Sequence, residues 1–178
     1  MENQQIFNRF NFLKYRFRLS LASSKPDYYL FIKALTSLFA TFMSAFHFAF
    51  KVKDLASTRK FYVEILGCQE GRSTDTWLDF NFFGNQLSAH ISDNFPELDY
   101  CGKVDGIKVP IPHFGCLLEI NEFELVQRKL EEAAIEFVIK PQKRYSGSVG
   151  EQLTMFVFDF SGNPIEFKSF TNSDEVFS

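Results

Sequence analysis

The chain has 178 residues, 46% hydrophobic and 23% charged, enough for one globular domain or two small fused modules. Its net charge of −3 excludes a basic nucleic-acid footprint. The three cysteines, Cys68, Cys101 and Cys116, show no paired or zinc-knuckle spacing, so a reducing compartment is expected, the cytoplasm by default. Phenylalanine is abundant, at 24 copies, which suits strand-rich packing of large rings.

Residues 1–43 read as an N-terminal extension. Positions 1–42 carry six basic and two acidic residues, a net of +4 that leaves −7 for the rest. The uncharged stretch 34–46 falls short of the about 20 apolar residues a stable membrane span needs. Three readings stay open. The segment is an organelle-targeting extension, which would make the protein organellar; or upstream sequence before a start at Met43; or a helical or membrane-surface arm.

A βαβββ module follows over 44–95. Residues 46–52 alternate and are rich in Phe, as in a strand. Asp54 offers a helix N-cap, Leu55, Tyr62, Ile65 and Leu66 recur at helical spacing, and Gly67 ends the helix. Strands are expected at 68–72, 76–82 and 86–91, with a turn at Gly84 and Asn85. Residues 96–111, in a polar stretch that begins at 92 and contains Pro96 and Pro110, read as a linker.

The pattern repeats over 112–170. A strand at 113–120 leads to a helix with Asn121 and Glu124 as a capping box and Phe123, Val126, Leu130 and Ala133 as its apolar stripe. Residues 136–140 form a strand closed by Pro141, and 142–151 a flexible loop. The last strands span 152–159 and 164–170, and 171–178 is a frayed tail. The expected fold class is α+β: two βαβββ modules around an open barrel or cleft.

All three histidines and one glutamate fall on strand-like segments at pseudo-symmetric places. His47 and His113 open first strands, and His90 and Glu166 stand on fourth strands. Period-2 alternation puts His47 with Ala49 and Lys51, and Glu166 with Pro164 and Lys168, on faces opposite Phe48, Phe50, Ile165 and Phe167. Such faces would line one polar cavity, where the four side chains could hold a divalent metal.

The stretches FHFAFKVKDLASTRKFYVEILG (46–67), PHFG (112–115) and DFSGNPIEFKSF (159–170) resemble the vicinal-oxygen-chelate (VOC) superfamily. That superfamily includes glyoxalase I, the extradiol dioxygenases and the bleomycin-resistance proteins. TWLDFNFFGNQLSAH (76–90) and VDGIKVPIPHFG (104–115) are most similar to its group of predicted extradiol-type dioxygenases. The resemblance implies His47, His113 and Glu166 as ligands of Fe(II), which would open a catecholic or other vicinal-oxygen small molecule with O2. His90 would then be a catalytic base or a further ligand. Tyr145 would donate a hydrogen bond to substrate, and Arg144 and Lys168 would offer it positive charge.

Two other readings stay open. A glyoxalase-like lyase or isomerase would use His90 as a fourth ligand to Ni(II), Zn(II), Mn(II) or Co(II). A non-catalytic relative would only bind a small molecule in the cleft. A homodimer, with or without exchange of modules between chains, is open as well.

Overall fold

Alternation along each strand sorts the large rings to one side, and the two halves of the chain share what those rings bury. A computed structural model describes residues 45–95, 97–104 and 107–178. The readings of the extension at 1–43 lie outside these residues.

The first module runs β1 (His47–Val52), α1 (Leu55–Arg59), a π-helical turn (Lys60–Ile65), β2 (Gln69–Ser73), β3 (Trp77–Phe82) and β4 (Asn85–Ile91). Next come β5 (Asp99–Val104) and β6 (Ile107–Ile111). The second module runs β7 (Phe114–Leu117), α2 (Ile120–Glu132), β8 (Phe137–Arg144), β9 (Gln152–Phe158) and β10 (Pro164–Phe170). The sheets have matching orders, β1-β4-β3-β2 and β7-β10-β9-β8, each with its first pair parallel and neither closed. The protein is therefore an α+β fold of two similar βαβββ-like modules.

Asp54 caps α1 as expected, its Oδ1 accepting the Ser57 N–H at 2.6 Å. The helix then widens into its π turn, where the Leu66 N–H reaches the Phe61 carbonyl. That spacing buries Phe61 and Tyr62 side by side. Gly67 ends the helix at φ +82°.

Four local expectations give way to tertiary demands. Helix α2 begins before Asn121, with Glu119 at the N-cap and no side-chain cap. The Leu118 N–H still bonds Lys168 of β10 while its side chain is buried, so the chain must enter the helix at once. Strand β8 runs past Pro141 to Arg144, with Gln142 to Arg144 paired against Thr154 to Gln152. Proline is tolerated because β8 is an edge strand whose register shifts between Ile139 and Gln142. The following loop is tied down: the Glu151 carboxylate accepts bonds from Lys143, the Gly147 N–H and Thr171. Finally, β5 and β6 pair antiparallel inside the stretch expected to be a bare linker. Val109 of β6 packs with Ile139 and Phe156.

The inward faces merge into one core. Phe50, Phe61, Tyr62, Phe80 and Phe82 from the first module join Phe123, Leu130, Met155, Ile165 and Phe167 from the second. Phe114 lies 5.1 Å from Phe48 and 5.2 Å from Phe50, ring centre to ring centre. A polar latch closes the joint. Buried Asp159 accepts the Tyr62 hydroxyl at 3.0 Å and the backbone N–H groups of Ser161 and Asn163. Asn163 Nδ2 donates to the Lys51 carbonyl, and the Lys53 N–H donates to Ser161 Oγ. Burial pushes the Asp159 carboxyl above its ordinary range despite these donors. Tyr62→Phe leaves that carboxylate one donor short and should cost about 1–2 kcal/mol in urea unfolding, with the m-value unchanged.

Candidate functional site

Since the apolar faces meet in the core, the polar faces point away from it. In the first sheet the outward rows are His47, Ala49 and Lys51 on β1, Gln86, Ser88 and His90 on β4, and Asn81, Asp79 and Trp77 on β3. In the second sheet they include Gly115 and Leu117 on β7, Glu166 and Lys168 on β10, and Phe156, Thr154 and Gln152 on β9.

His113 and Glu166 meet in the second sheet. His113 Nε2 lies 3.2 Å from Glu166 Oε2, and Lys168 Nζ lies 3.1 Å from the same oxygen. The Thr154 hydroxyl donates to Oε1 at 2.7 Å. His113 Nδ1 is 2.7 Å from the Pro110 carbonyl, which fixes the ring, and the Phe156 ring meets it edge-on. Gly115 makes the close approach of β7 to β10 feasible: a Cβ there would run into the Glu166 backbone carbonyl. Burial alone would raise the Glu166 carboxyl, but the bonds from His113, Thr154 and Lys168 outweigh it and hold the group below its ordinary range. The same bond to Glu166 raises His113, against an opposing contribution from burial.

His47 stands elsewhere. Its Nδ1 lies 3.1 Å from Gln86 Oε1 on the exposed face of the first sheet. The register also separates the fourth-strand residues. Ala49 pairs with Ser88 as Gly115 pairs with Glu166, so Ser88 occupies the place that Glu166 holds in the second module. His90 pairs with Lys51 and stacks on Trp77, four residues along the sheet from the level of His47, about 13 Å at a strand's rise. The expected convergence of His47, His113 and Glu166 on one cation is therefore not found within a single chain: among the described residues, no three His, Cys, Asp or Glu side chains form a group that could hold a metal. The His113–Glu166 pair fits a metal chemically, with one imidazole nitrogen, one carboxylate and a ring oriented through its other nitrogen, but falls short in number of donors.

Arg144 and Tyr145 form their own pair, the guanidinium 4.9 Å from the ring centre and donating to the hydroxyl at 3.0 Å. Tyr145 holds a left-handed backbone, φ +54°, uncommon for a side chain of its size. Arg144 is buried across from Gln152, whose Oε1 is buried without a hydrogen-bond partner.

Asp79 was missed by reasoning from ligand residue types. It is buried on the outward face and accepts Ser88, Gln86 and Arg72. The alternation that turns Phe80 inward carries Asp79 outward, and that was the available signal. Asp79 lines an open cleft of about 440 Å³ together with Glu70, Arg72, Asn81 and Gln86. The cleft thus adjoins the His47–Gln86 pair.

The sequence matches the Glyoxalase/Bleomycin resistance protein/Dioxygenase superfamily over residues 44–167, and the chain belongs to that superfamily. No curated protein matches it significantly. Among solved structures it is similar to a glyoxalase/bleomycin resistance protein/dioxygenase from Alicyclobacillus acidocaldarius. That pair shares 27% identity and a TM-score of 0.64, covering 75% of this chain and 96% of the other. The fosfomycin resistance protein FosX from Listeria monocytogenes shares the fold at 19% identity and TM-score 0.57, covering 75% and 98%. A virulence protein from Salmonella typhimurium does so at 22% and 0.51, covering 72% and 98%. Among the described residues, no helix is long and apolar enough to cross a membrane.

The coupled pair sets a pH window. His113, raised from 6.5, contributes stability that is full below that value and lost as pH climbs through its folded pKa. Glu166, lowered from 4.5, contributes above that value and loses it as pH falls through its folded pKa. Metal-free protein should thus hold the pair tightest between pH 4.5 and 6.5. By NMR the His113 ring should titrate above an ordinary histidine, and Glu166→Gln should pull it back.

Proposed function

We propose that this protein binds a small molecule carrying two neighbouring oxygens on its outward polar faces. Its metal-competent pair, His113 and Glu166, is completed by His47 of a second copy of the chain. One observation carries the reading: the apolar faces of both sheets are used up in the core, so His47 and the His113–Glu166 pair each point to where another molecule can sit. A divalent metal there would supply Lewis acidity to the two oxygens of the ligand. The chain's own residues would do the rest. Thr154 steadies the carboxylate, the Pro110 carbonyl orients His113, and Arg144 with Tyr145 offers donors to an anionic ligand.

Oxygen-dependent ring opening with Fe(II) is the second reading. It is favoured over a four-ligand lyase by the position of His90, which stays at the level of Lys51. Binding ranks first because it asks only that the site hold a ligand, with no step that consumes oxygen.

Complementation between chains tests the composite site. His47→Ala and Glu166→Gln proteins should each lose most of their Mn(II) or Co(II) binding. Mixed and refolded together, they should regain about one quarter of the sites, as random pairing into dimers requires. A monomeric wild-type protein, or no recovery on mixing, would sink the arrangement. Oxygen uptake by Fe(II)-loaded protein across a catechol panel separates the two readings: none is expected from a binder.

A further inference from the structure

Asp79 is a buried carboxylate that the function proposed above does not use. It stands on the wall of the first-sheet cleft of about 440 Å³. Its Oδ1 accepts the Ser88 hydroxyl, and its Oδ2 accepts Arg72 and Gln86 at 3.2 Å each. Arg72 is itself held 5.8 Å from the centre of the Trp77 ring. Glu70, the other carboxylate of the cleft, is engaged by the Arg59 guanidinium.

Donors and acceptors along this row can run in one sense only. An ionised carboxylate accepts and cannot donate, so Gln86 turns its NH2 group to Asp79. Its carbonyl oxygen is then the atom 3.1 Å from His47 Nδ1. That oxygen also only accepts, so Nδ1 carries the ring proton and Nε2 keeps a lone pair. His47 is exposed, and its Nε2 has no hydrogen-bond partner among the described residues. A free neutral imidazole in water prefers the opposite form, with the proton on Nε2. The second module reaches the same form of His113 by a different device, the Pro110 carbonyl 2.7 Å from Nδ1.

We propose that Asp79 and Gln86 are positioning residues that fix the tautomer of His47, so that its Nε2 accepts a hydrogen bond from a hydroxyl of a small molecule lodged at the cleft. This rests on the small-molecule reading above for its ligand, and on no metal. It narrows that ligand: at least one of the two neighbouring oxygens carries a proton. An alkylated oxygen offers Nε2 nothing to accept.

Histidine-nitrogen NMR on the full, metal-free chain reads the tautomer from the shifts of the two ring nitrogens. It is recorded without oxygen at about pH 8, above the roughly 6.5 of an ordinary imidazole, with His47→Ala to assign the signals. Wild-type His47 should carry its proton on Nδ1. Gln86→Leu, an exposed change that spares the core, should move the tautomer ratio about fivefold to tenfold toward Nε2–H. Asp79→Leu should do the same. Asp79→Asn should keep the wild-type form: the Ser88 hydroxyl can accept as well as donate, which lets the new amide turn its oxygen to Arg72 and Gln86. Added catechol should move the Nε2 signal and bind Gln86→Leu about fivefold to tenfold more weakly, while catechol dimethyl ether should leave that signal in place. A wild-type proton on Nε2, or an unchanged tautomer in Gln86→Leu, overturns the proposal. So does an Nε2 signal that ignores catechol or answers the dimethyl ether equally; catechol then seen at other signals leaves the small-molecule reading standing. Failed complementation between chains, with the tautomer and catechol results as expected, sinks the composite site and leaves the relay.

Discussion

Burial of the phenylalanine-rich sheet faces against one another is the interaction on which the molecule depends. Each module has a four-stranded sheet and one short helix, and a single helix cannot cover such a sheet. The two modules solve this together. Phe48, Phe50 and Phe82 of one reach Phe114 and Phe167 of the other, and both helices close the same core. At about 25 cal/mol for each Å² of apolar surface removed from water, a core of this many rings far outweighs any polar contact in the fold. The Tyr62–Asp159 latch sets how the modules meet more than how strongly they adhere.

That arrangement has a direct chemical consequence. Period-2 alternation forces every side chain next to a core phenylalanine to the other side. His47, Asp79, Glu166 and Lys168 are outward because Phe48, Phe80, Ile165 and Phe167 are inward. Glu166 is nonetheless buried, and β6 brings Val109 onto the neighbouring Phe156 and the Pro110 carbonyl onto His113. A carboxylate in such a place stays charged only if donors surround it. His113, Thr154 and Lys168 supply them, and the depressed pKa of Glu166 is the sum of their effect against burial. The opposite sheet solves the same problem differently. Serine stands where glutamate would be, and Asp79 on the neighbouring strand carries the charge.

Much of this was legible in the residues. The alternating Phe runs, Asp54 and Gly67 as helix boundaries, and the turn glycines at Gly84 and Gly162 mark elements by local physics alone. His113 and Glu166 were expected to line one cavity as residues of a first and a fourth strand, and β7 and β10 are neighbours in the sheet. Local signals failed where a distant contact decided the outcome. The start of α2 is set by the burial of Leu118, not by Asn121. The passage of β8 through Pro141 depends on its being an edge strand, a property of the sheet order. Strand β6 hides in a polar, proline-flanked stretch because no apolar alternation marks it: its buried residues, Val109 and Pro110, are adjacent, and Val109 packs with Ile139 and Phe156.

By itself the sequence determined which residues face together, because the strand period is fixed by backbone geometry and needs no partner. It therefore put His47, His113 and Glu166 on polar faces, while the motif stretches at 46–67, 112–115 and 159–170 carried the resemblance to the superfamily. Which polar faces meet was decided by the tertiary structure alone. The rings of the two modules pair with one another inside one chain, and among the described residues His47 joins no metal-capable group with His113 and Glu166. That packing also sets the strand register, which leaves His90 beside Lys51 and Trp77 and places the ammonium of Lys168 on the carboxylate. Alternation records the side of a sheet, while register and packing depend on every side chain that the core must accommodate at once.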